Sequence, residues 1–434
     1  MFIWDIAFFV GLVPVVYLLV NAFLSRHRGS VGRAPPADPR DVTIVVPVHA
    51  ERPERFAECL RSVTREGCRV IVVGDGVDEP YRTLATEAGA EFVGLAERGG
   101  KKRALAAGVH QVSTEFVLFV DSDTEIPEHA VRDLSTYFEA GVGGVGANLY
   151  VRPNGSLAAR CSEFVERARE VVLRAMSSRG NVLYLDGACM MFRTDVVRPY
   201  VLSDDFQHLT VLGRPTRLGD DWQLTDHVLR QGLRTVKAYS VGAITERPES
   251  LAAFVRQNVR WSRSSWIRLG RYLSGNGPQD PGLFYRLELA GTYALPLLAL
   301  ALGIVRLPLY VHLGEQFLAL LGASLNGFLR LPYAAHGPLV LRFFLSAETL
   351  IGLVAAGTFS AAVARRLPPG DRARTLAAGL LGTALLFPIT IYGLLTFWRS
   401  PVWQGRTTAD SAPGAIPTSA LATPSVGKAP LLRR

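Results

Sequence analysis

The stretch "LGDDWQLTDHVLRQG", residues 218–232, crowds Asp220, Asp221 and Asp226 into seven positions of a chain whose formal net charge is +9. A carboxylate there could act as a general base, taking the proton of an attacking hydroxyl. Asp220 could equally be an N-cap, and Asp221 a first-turn acid favoured by the helix dipole. In "FVDSDTEIP", Asp121 and Asp123 lie two apart after an apolar strand. Residues so spaced project to one side of an extended chain. They suit a hard cation, Mg²⁺ or Mn²⁺, that also holds phosphate oxygens, or they are solvated loop acids. "VVGDGVDEP" sets Asp75 between Gly74 and Gly76 at a strand end, where an acid can bond a base or ribose or simply make a turn. "RGGKKRA" gathers Arg98, Lys101, Lys102 and Arg103 at a helix start, either a phosphate cradle or a solvated charge run. "RQNVRWSRS" brings Gln257, Arg260 and Trp261 together. A guanidinium beside an indole offers a fork for diphosphate and a platform for a sugar face; Trp261 and Trp266 could instead anchor the chain at a membrane surface.

These groups need a frame, and the sequence supplies an alternating one. "VTIVVPVHA", "RVIVVGDG" and "EFVLFVDSDT" read as buried strands, and "RPERFAECLRSVTREG", "DEPYRTLATEAGA" and "KKRALAAGVHQV" as helices. The alternation predicts an α/β domain with a mostly parallel sheet over 41–249 and ligands at the carboxyl ends of its strands.

With 49% hydrophobic residues in 434 and mean hydropathy +0.20, the chain is richer in apolar residues than ordinary soluble proteins. The apolar runs sit at the ends. Residues 1–25 read as a transmembrane anchor and 26–40 as a linker, and 250–275 as an amphipathic helix lying in the membrane interface. Over 284–398, segments 284–305 and 339–364 read as transmembrane helices, while 309–330 and 375–397, the latter with Pro388, are spans, interfacial helices or broken re-entrant segments. Arg26, His27, Arg28 and Arg33 after the first run place the N-terminus outside and the domain in the cytoplasm. Cys59, Cys68, Cys161 and Cys189 match no zinc or CxxC spacing and read as packing residues in a reducing compartment. No nucleic-acid-binding motif accompanies the basic balance, which suits a membrane surface and an anionic substrate. Residues 407–434 read as a disordered tail.

In their order and spacing, "VPVHAE", "GDGVD", "GGKKRA", "DSDT", "LGDDWQLT", "TERP" and "QNVRW" resemble the membrane-integrated family 2 glycosyltransferases, the group of cellulose, chitin and hyaluronan synthases. The resemblance covers about 42–266, extends loosely to "VWQGRT", and is greatest to hyaluronan synthases, with chitin-oligosaccharide synthases close behind. It implies a GT-A (nucleotide-diphospho-sugar transferase) fold and an inverting, processive enzyme. Such an enzyme extends a β-linked polysaccharide from UDP-sugars and passes it through its own helices in the plasma membrane. Carried over by position, it gives Asp75 to the uridine, Lys101 and Lys102 to the diphosphate, Asp121 to the UDP-sugar, Asp123 to the metal and Asp221 to the general base. Gln257, Arg260 and Trp261 become the gate of the channel, and Asp220, Gly187 and Cys189 border the acceptor. His49, Ala50, Trp222 and the inserted Gln404 depart from the hyaluronan synthase pattern. A chitin-like or other β-glycan product, a non-processive transferase with a lipid acceptor, and a non-catalytic membrane scaffold are the rivals; the last would have no need of Asp221.

Overall fold

The computed structural model describes residues 2–26, 31–178, 180–278, 281–298, 300–302, 304 and 339–399. Segment 309–330, "VWQGRT" and the tail lie outside them.

β1 (Val42–Val48) is buried at every position, as befits a strand covered on both faces. β2 (Arg69–Asp75), β3 (Glu91–Leu95) and β4 (Phe116–Val120) extend it in parallel. After them come the short β5 (Thr124–Glu125), β6 (Val142–Val151), β7 (Cys189–Arg193), a separate hairpin of β8 (Thr210–Val211) and β9 (Arg214–Pro215), and β10 (Arg234–Thr245). The main sheet runs β3-β2-β1-β4-β7-β6-β10-β5. Four of its pairings are parallel and three antiparallel.

The mostly parallel sheet expected from the sequence thus carries a reversal: β7 runs against both β4 and β6. Because of it, β7 begins where β4 ends. The Asp121 amide donates to the Ala188 carbonyl at 3.0 Å, so the loop before β7 faces the acids after β4. Apolar clusters cover both faces of the sheet, one around Ile44, Val72 and Phe116, the other around Val45, Leu105 and Phe192.

Helices Phe2–Leu24, Leu339–Ala364 and Arg372–Leu394 are apolar, as is one over 283–298. Among the described residues, one helix, Pro369–Leu394, is long and apolar enough to cross a membrane, with mean hydropathy 1.7; Val10–Leu24 and Ile351–Ala364 are shorter apolar stretches. Val13, Val16, Phe23, Leu353, Val354 and Leu380 on these elements are exposed. The helix Arg372–Leu394 continues through Pro388 rather than breaking there.

That helix lies beside helix Leu251–Arg271. Phe254 clusters with Ala378, the Trp266 Nε1–H donates to the Thr390 carbonyl at 2.9 Å, and an added Cβ on Gly393 would meet Ser262 Oγ at 2.1 Å. The amphipathic helix expected at a membrane interface therefore packs Phe254 and Trp266 on protein. Its register is set from the other side by Arg268, which is buried and donates to Asp226 Oδ1 at 2.6 Å, to Tyr285 Oη at 2.6 Å and to the Leu183 carbonyl at 2.5 Å.

Removing one member of such a pair leaves a buried charge alone. Asp226→Ala should lower unfolding stability by about 3–5 kcal/mol. The double variant Asp226→Leu/Arg268→Met should recover much of that in chemical denaturation, because neither charge then remains to be desolvated.

Candidate active site

The site is built around the start of helix Lys101–His110. Asp75 is fully buried, and its carboxylate accepts the amides of Gly99 and Gly100 at 2.6 and 2.9 Å. Gly100 takes φ +92°, which a side chain rarely adopts. The loop so pinned aims Lys101 across the ends of β4 and β7. Its ammonium lies 2.6 Å from Asp121 Oδ1 and 2.8 Å from Asp220 Oδ2 and donates to the Gly187 carbonyl at 3.2 Å. Burial opposes the lysine's charge, but the two carboxylates outweigh it and raise its pKa.

Lys102 points elsewhere. It is buried, its ammonium stands 5.6 Å over the Phe206 ring without a hydrogen-bond partner, and burial pushes its pKa down to about 8. The adjacent lysines read together from sequence are thus separated, since neighbours on a helix face different directions.

Helix Asp220–Arg230 faces Lys101. Its cap is Gly219 at φ +87°, so Asp220 is its first residue rather than the N-cap. A Cβ on Gly219 would strike the Trp222 indole at 2.2 Å, and that indole donates to Ser264 Oγ at 2.9 Å. Gly187 lets the β7 loop close on this corner: an added Cβ would sit 3.3 Å from both Asp221 Cβ and Lys101 Nζ. Asp220 and Asp221 differ in basicity. Burial raises Asp220, yet Lys101 and Lys102 more than reverse it, whereas burial and then the Asp220 charge push Asp221 up to about 6. Asp121 also rises to about 6, by burial first and by Asp123 and Asp220 against the pull of Lys101. Asp123 borders the same cleft, with its carboxylate 3.4 Å from the Thr245 hydroxyl.

The cleft encloses about 540 Å³. Gln257, Arg260 and Trp261 reach it from helix Leu251–Arg271, and burial lowers the Arg260 pKa. Leu289, Tyr293, Leu386 and Ile389 of the apolar helices also line it. Asp75, Lys102 and Cys189 do not line it. Cys189, expected at the acceptor, has 0% exposure: as the first residue of β7 it packs in the apolar cluster with Ile44 and Val72, while Gly187 and Ala188 in the loop before the strand border the cleft.

Sequence reasoning missed one wall. Helix Leu157–Ser177 sends in Glu166 and Arg169, joined by Asp186 and Arg247. Arg169 donates to Glu166 at 2.6 Å, to Asp186 at 2.9 Å and to the Tyr184 hydroxyl at 2.7 Å, and lies 5.4 Å over the Trp261 ring. Lys237 pairs with Asp186 from β10. Burial would raise Glu166, but Arg169 and Arg247 hold it down at about 2. Arg247 Nε and Nη2 and Gln257 Oε1 are buried without a protein partner. The signal available was charge at i, i+3 and i+4 spacing (Glu163, Glu166, Arg167, Arg169, Glu170) on a helix with a clear apolar face.

Gly219→Ala should cost about 1–2 kcal/mol for the left-handed backbone and push the Trp222 indole off Ser264. Turnover should fall more than the thermal midpoint does, with indole displacement read by tryptophan fluorescence.

The glycosyltransferase like family 2 matches residues 39–264. An N-acetylglucosaminyltransferase of Azorhizobium caulinodans is 31% identical over 275 residues, 58% of this chain and 66% of that protein. One of Sinorhizobium fredii is 27% identical over 432 residues, 94% of this chain and 93% of that protein. Other such relatives are matched over 52% to 65% of their length, as with 56% of the Bradyrhizobium diazoefficiens protein. A mannosyltransferase of Pyrobaculum calidifontis, solved with GDP-Man and Mn²⁺, superposes with a TM-score of 0.56 at 16% identity, covering 90% of this chain and 98% of that one. The chain belongs to the glycosyltransferase like family 2, as a glycosyltransferase with a GT-A fold.

Proposed function

We propose that the protein is an inverting, processive transferase that moves N-acetylglucosamine from its UDP donor onto a growing β-linked polysaccharide. The observation that carries this reading is the corner where Asp221, lifted to about 6, meets Gly187 and Lys101 across from Arg260 and Trp261. Asp221 accepts the proton of the acceptor hydroxyl as its oxygen attacks the anomeric carbon, and the bond to the UDP oxygen breaks on the opposite face. Lys101 and Arg260 stabilise the charge growing on the diphosphate, and Trp261 offers its face to the acceptor sugar. Asp121, Asp220 and Gly187 keep that pocket in shape, while Asp75 acts by holding the Gly99–Gly100 loop.

A carboxylate pair with substrate phosphates completing the shell suits Mg²⁺ or Mn²⁺. Asp123 and Asp121 are the residues that would hold the ion, which when bound neutralises charge on the leaving diphosphate. Among the described residues no group of three or more His, Cys, Asp or Glu side chains could hold a metal.

The relatives' N-acetylglucosaminyltransferase names support the donor. The buried, unpartnered Arg247 and Gln257 atoms support a sugar's oxygens and N–H in the cleft. The exposed apolar residues of the terminal helices support membrane insertion, the basic residues after the first apolar run support a cytoplasmic catalytic domain, and the apolar-helix residues lining the cleft support passage of product outward. A hyaluronan-type copolymer is the second reading, favoured by the "DSDT" and "QNVRWSRS" motifs.

Labelled sugar should enter polymer from UDP-N-acetylglucosamine alone with metal present; product only when UDP-glucuronate is added would decide for the copolymer. No incorporation and no UDP-sugar hydrolysis would overturn both. Asp221→Asn should reduce turnover by about a hundred- to ten-thousandfold while leaving UDP binding intact. A protonated base cannot accept a proton, so kcat/KM should fall as pH drops through about 6, a limb that a pH–rate profile reads. Chelation should stop turnover, and Asp123→Asn should raise the metal concentration needed to restore it.

A further inference from the structure

A second cavity, of about 250 Å³, lies away from the cleft, where helices Phe2–Leu24 and Leu339–Ala364 end together on helix Leu157–Ser177. Ala22, Val171, Ala362 and Val363 pack the joint. Four arginines line the cavity: Arg26, Arg174, Arg365 and Arg366.

Two of them are built in. Arg366 donates to the Ser25 carbonyl at 2.8 Å and to the Ala362 carbonyl, tying the two helix ends, and its Nε stands 3.4 Å from Glu170. Arg174 donates to Glu170 at 2.6 Å and covers the Tyr239 ring at 3.9 Å. Glu170 is also shared with buried Arg167, so one carboxylate serves three guanidiniums. Arg26 and Arg365 are exposed and have no carboxylate partner among the described residues. Glu170 offsets only part of the positive charge around the cavity, and the remainder repels unless a further anion enters.

We propose that this cavity binds the phosphate of an anionic phospholipid. Guanidinium forks match phosphate oxygens, and four of them around a cavity of this size leave a surplus of positive charge for one. The lipid source is favoured over soluble phosphate by the neighbourhood. Val13, Val16, Val20 and Phe23 on one helix and Leu353 and Val354 on the other are exposed apolar residues leading from the cavity, along which acyl chains can lie. The site rests on the membrane-inserted reading above, in which the helix ends stand at the cytoplasmic headgroup level.

The test uses the full chain in zwitterionic detergent with fluorescent phosphatidylglycerol and phosphatidylcholine as probes. Wild type should bind the anionic probe more tightly, and Arg26→Gln/Arg365→Gln should weaken it roughly thirtyfold, about tenfold or less separating the two probes thereafter. Both side chains are exposed and remote from the cleft, so an unchanged thermal midpoint and turnover should accompany the loss. Equal binding of the two lipids by wild type, or an anionic preference untouched by the double variant, would overturn the site. Displacement by inorganic phosphate at equal concentration would overturn the lipid as its ligand. Alkaline carbonate extraction from vesicles separates the two readings: release would refute membrane insertion, whereas protein that stays inserted without lipid preference refutes the site alone.

Discussion

The ammonium of Lys101, held at 2.6 Å from Asp121 and 2.8 Å from Asp220 and reaching the Gly187 carbonyl, joins four elements that are far apart in the chain. Burial weakens a cation's charge, as at Lys102, unless opposite charge surrounds it. That requirement draws the end of β4, the loop before β7 and the start of helix Asp220–Arg230 onto one point. It also separates the two neighbouring aspartates. Asp220 spends its charge on the lysine and stays ionised, and Asp221, buried beside that charge, becomes the more basic of the two. The same arrangement demands small residues: Gly100 to present the lysine, Gly187 to admit the corner and Gly219 to start the helix over the Trp222 indole.

Behind this corner the cleft wall is ionic rather than greasy. Glu166, Arg169, Asp186, Arg247 and Lys237 are interlocked, and Arg167 next to them is buried with Glu163 and Glu170. Buried ion pairs add little net stability over apolar packing, so stability alone gives no reason for them. They keep a low-dielectric cleft polar and rigid for a ligand rich in hydroxyls. Helix Leu157–Ser177 carries this wall on one turn and the Glu170–Arg174 pair beside the second cavity on the next. One rigid element thus borders both the catalytic cleft and the junction of the apolar helices.

The parallel half of the sheet could be read from β1, β2 and β4 because their apolar runs, the last two ending at an aspartate, are local patterns. β3, with the mixed run "EFVGL", and the reversed β7, "CMMFR", carry no such pattern, and their places depend on partners distant in sequence. The carboxylates were legible as a group, yet their division of labour was not. Asp226, quoted with Asp220 and Asp221, faces away from the cleft to Arg268, because five residues along a helix turn a side chain to another side. Asp75 spends both carboxylate oxygens on backbone amides.

Residue types and their order by themselves determined the family of chemistry: acids after apolar strands, cations at a glycine-led helix start, and an arginine–tryptophan pair before an apolar region. These are local, since a strand end or helix start places whatever residue occupies it. Only the tertiary structure decided that Asp221 is pushed up and Asp220 held down, that Lys101 rather than Lys102 enters the cleft, and that Arg169, Arg247 and Glu166 form its wall. Those outcomes depend on burial and on charges brought within a few ångströms from distant parts of the chain, and Coulomb interactions in a low-dielectric interior follow distance in space, not in sequence.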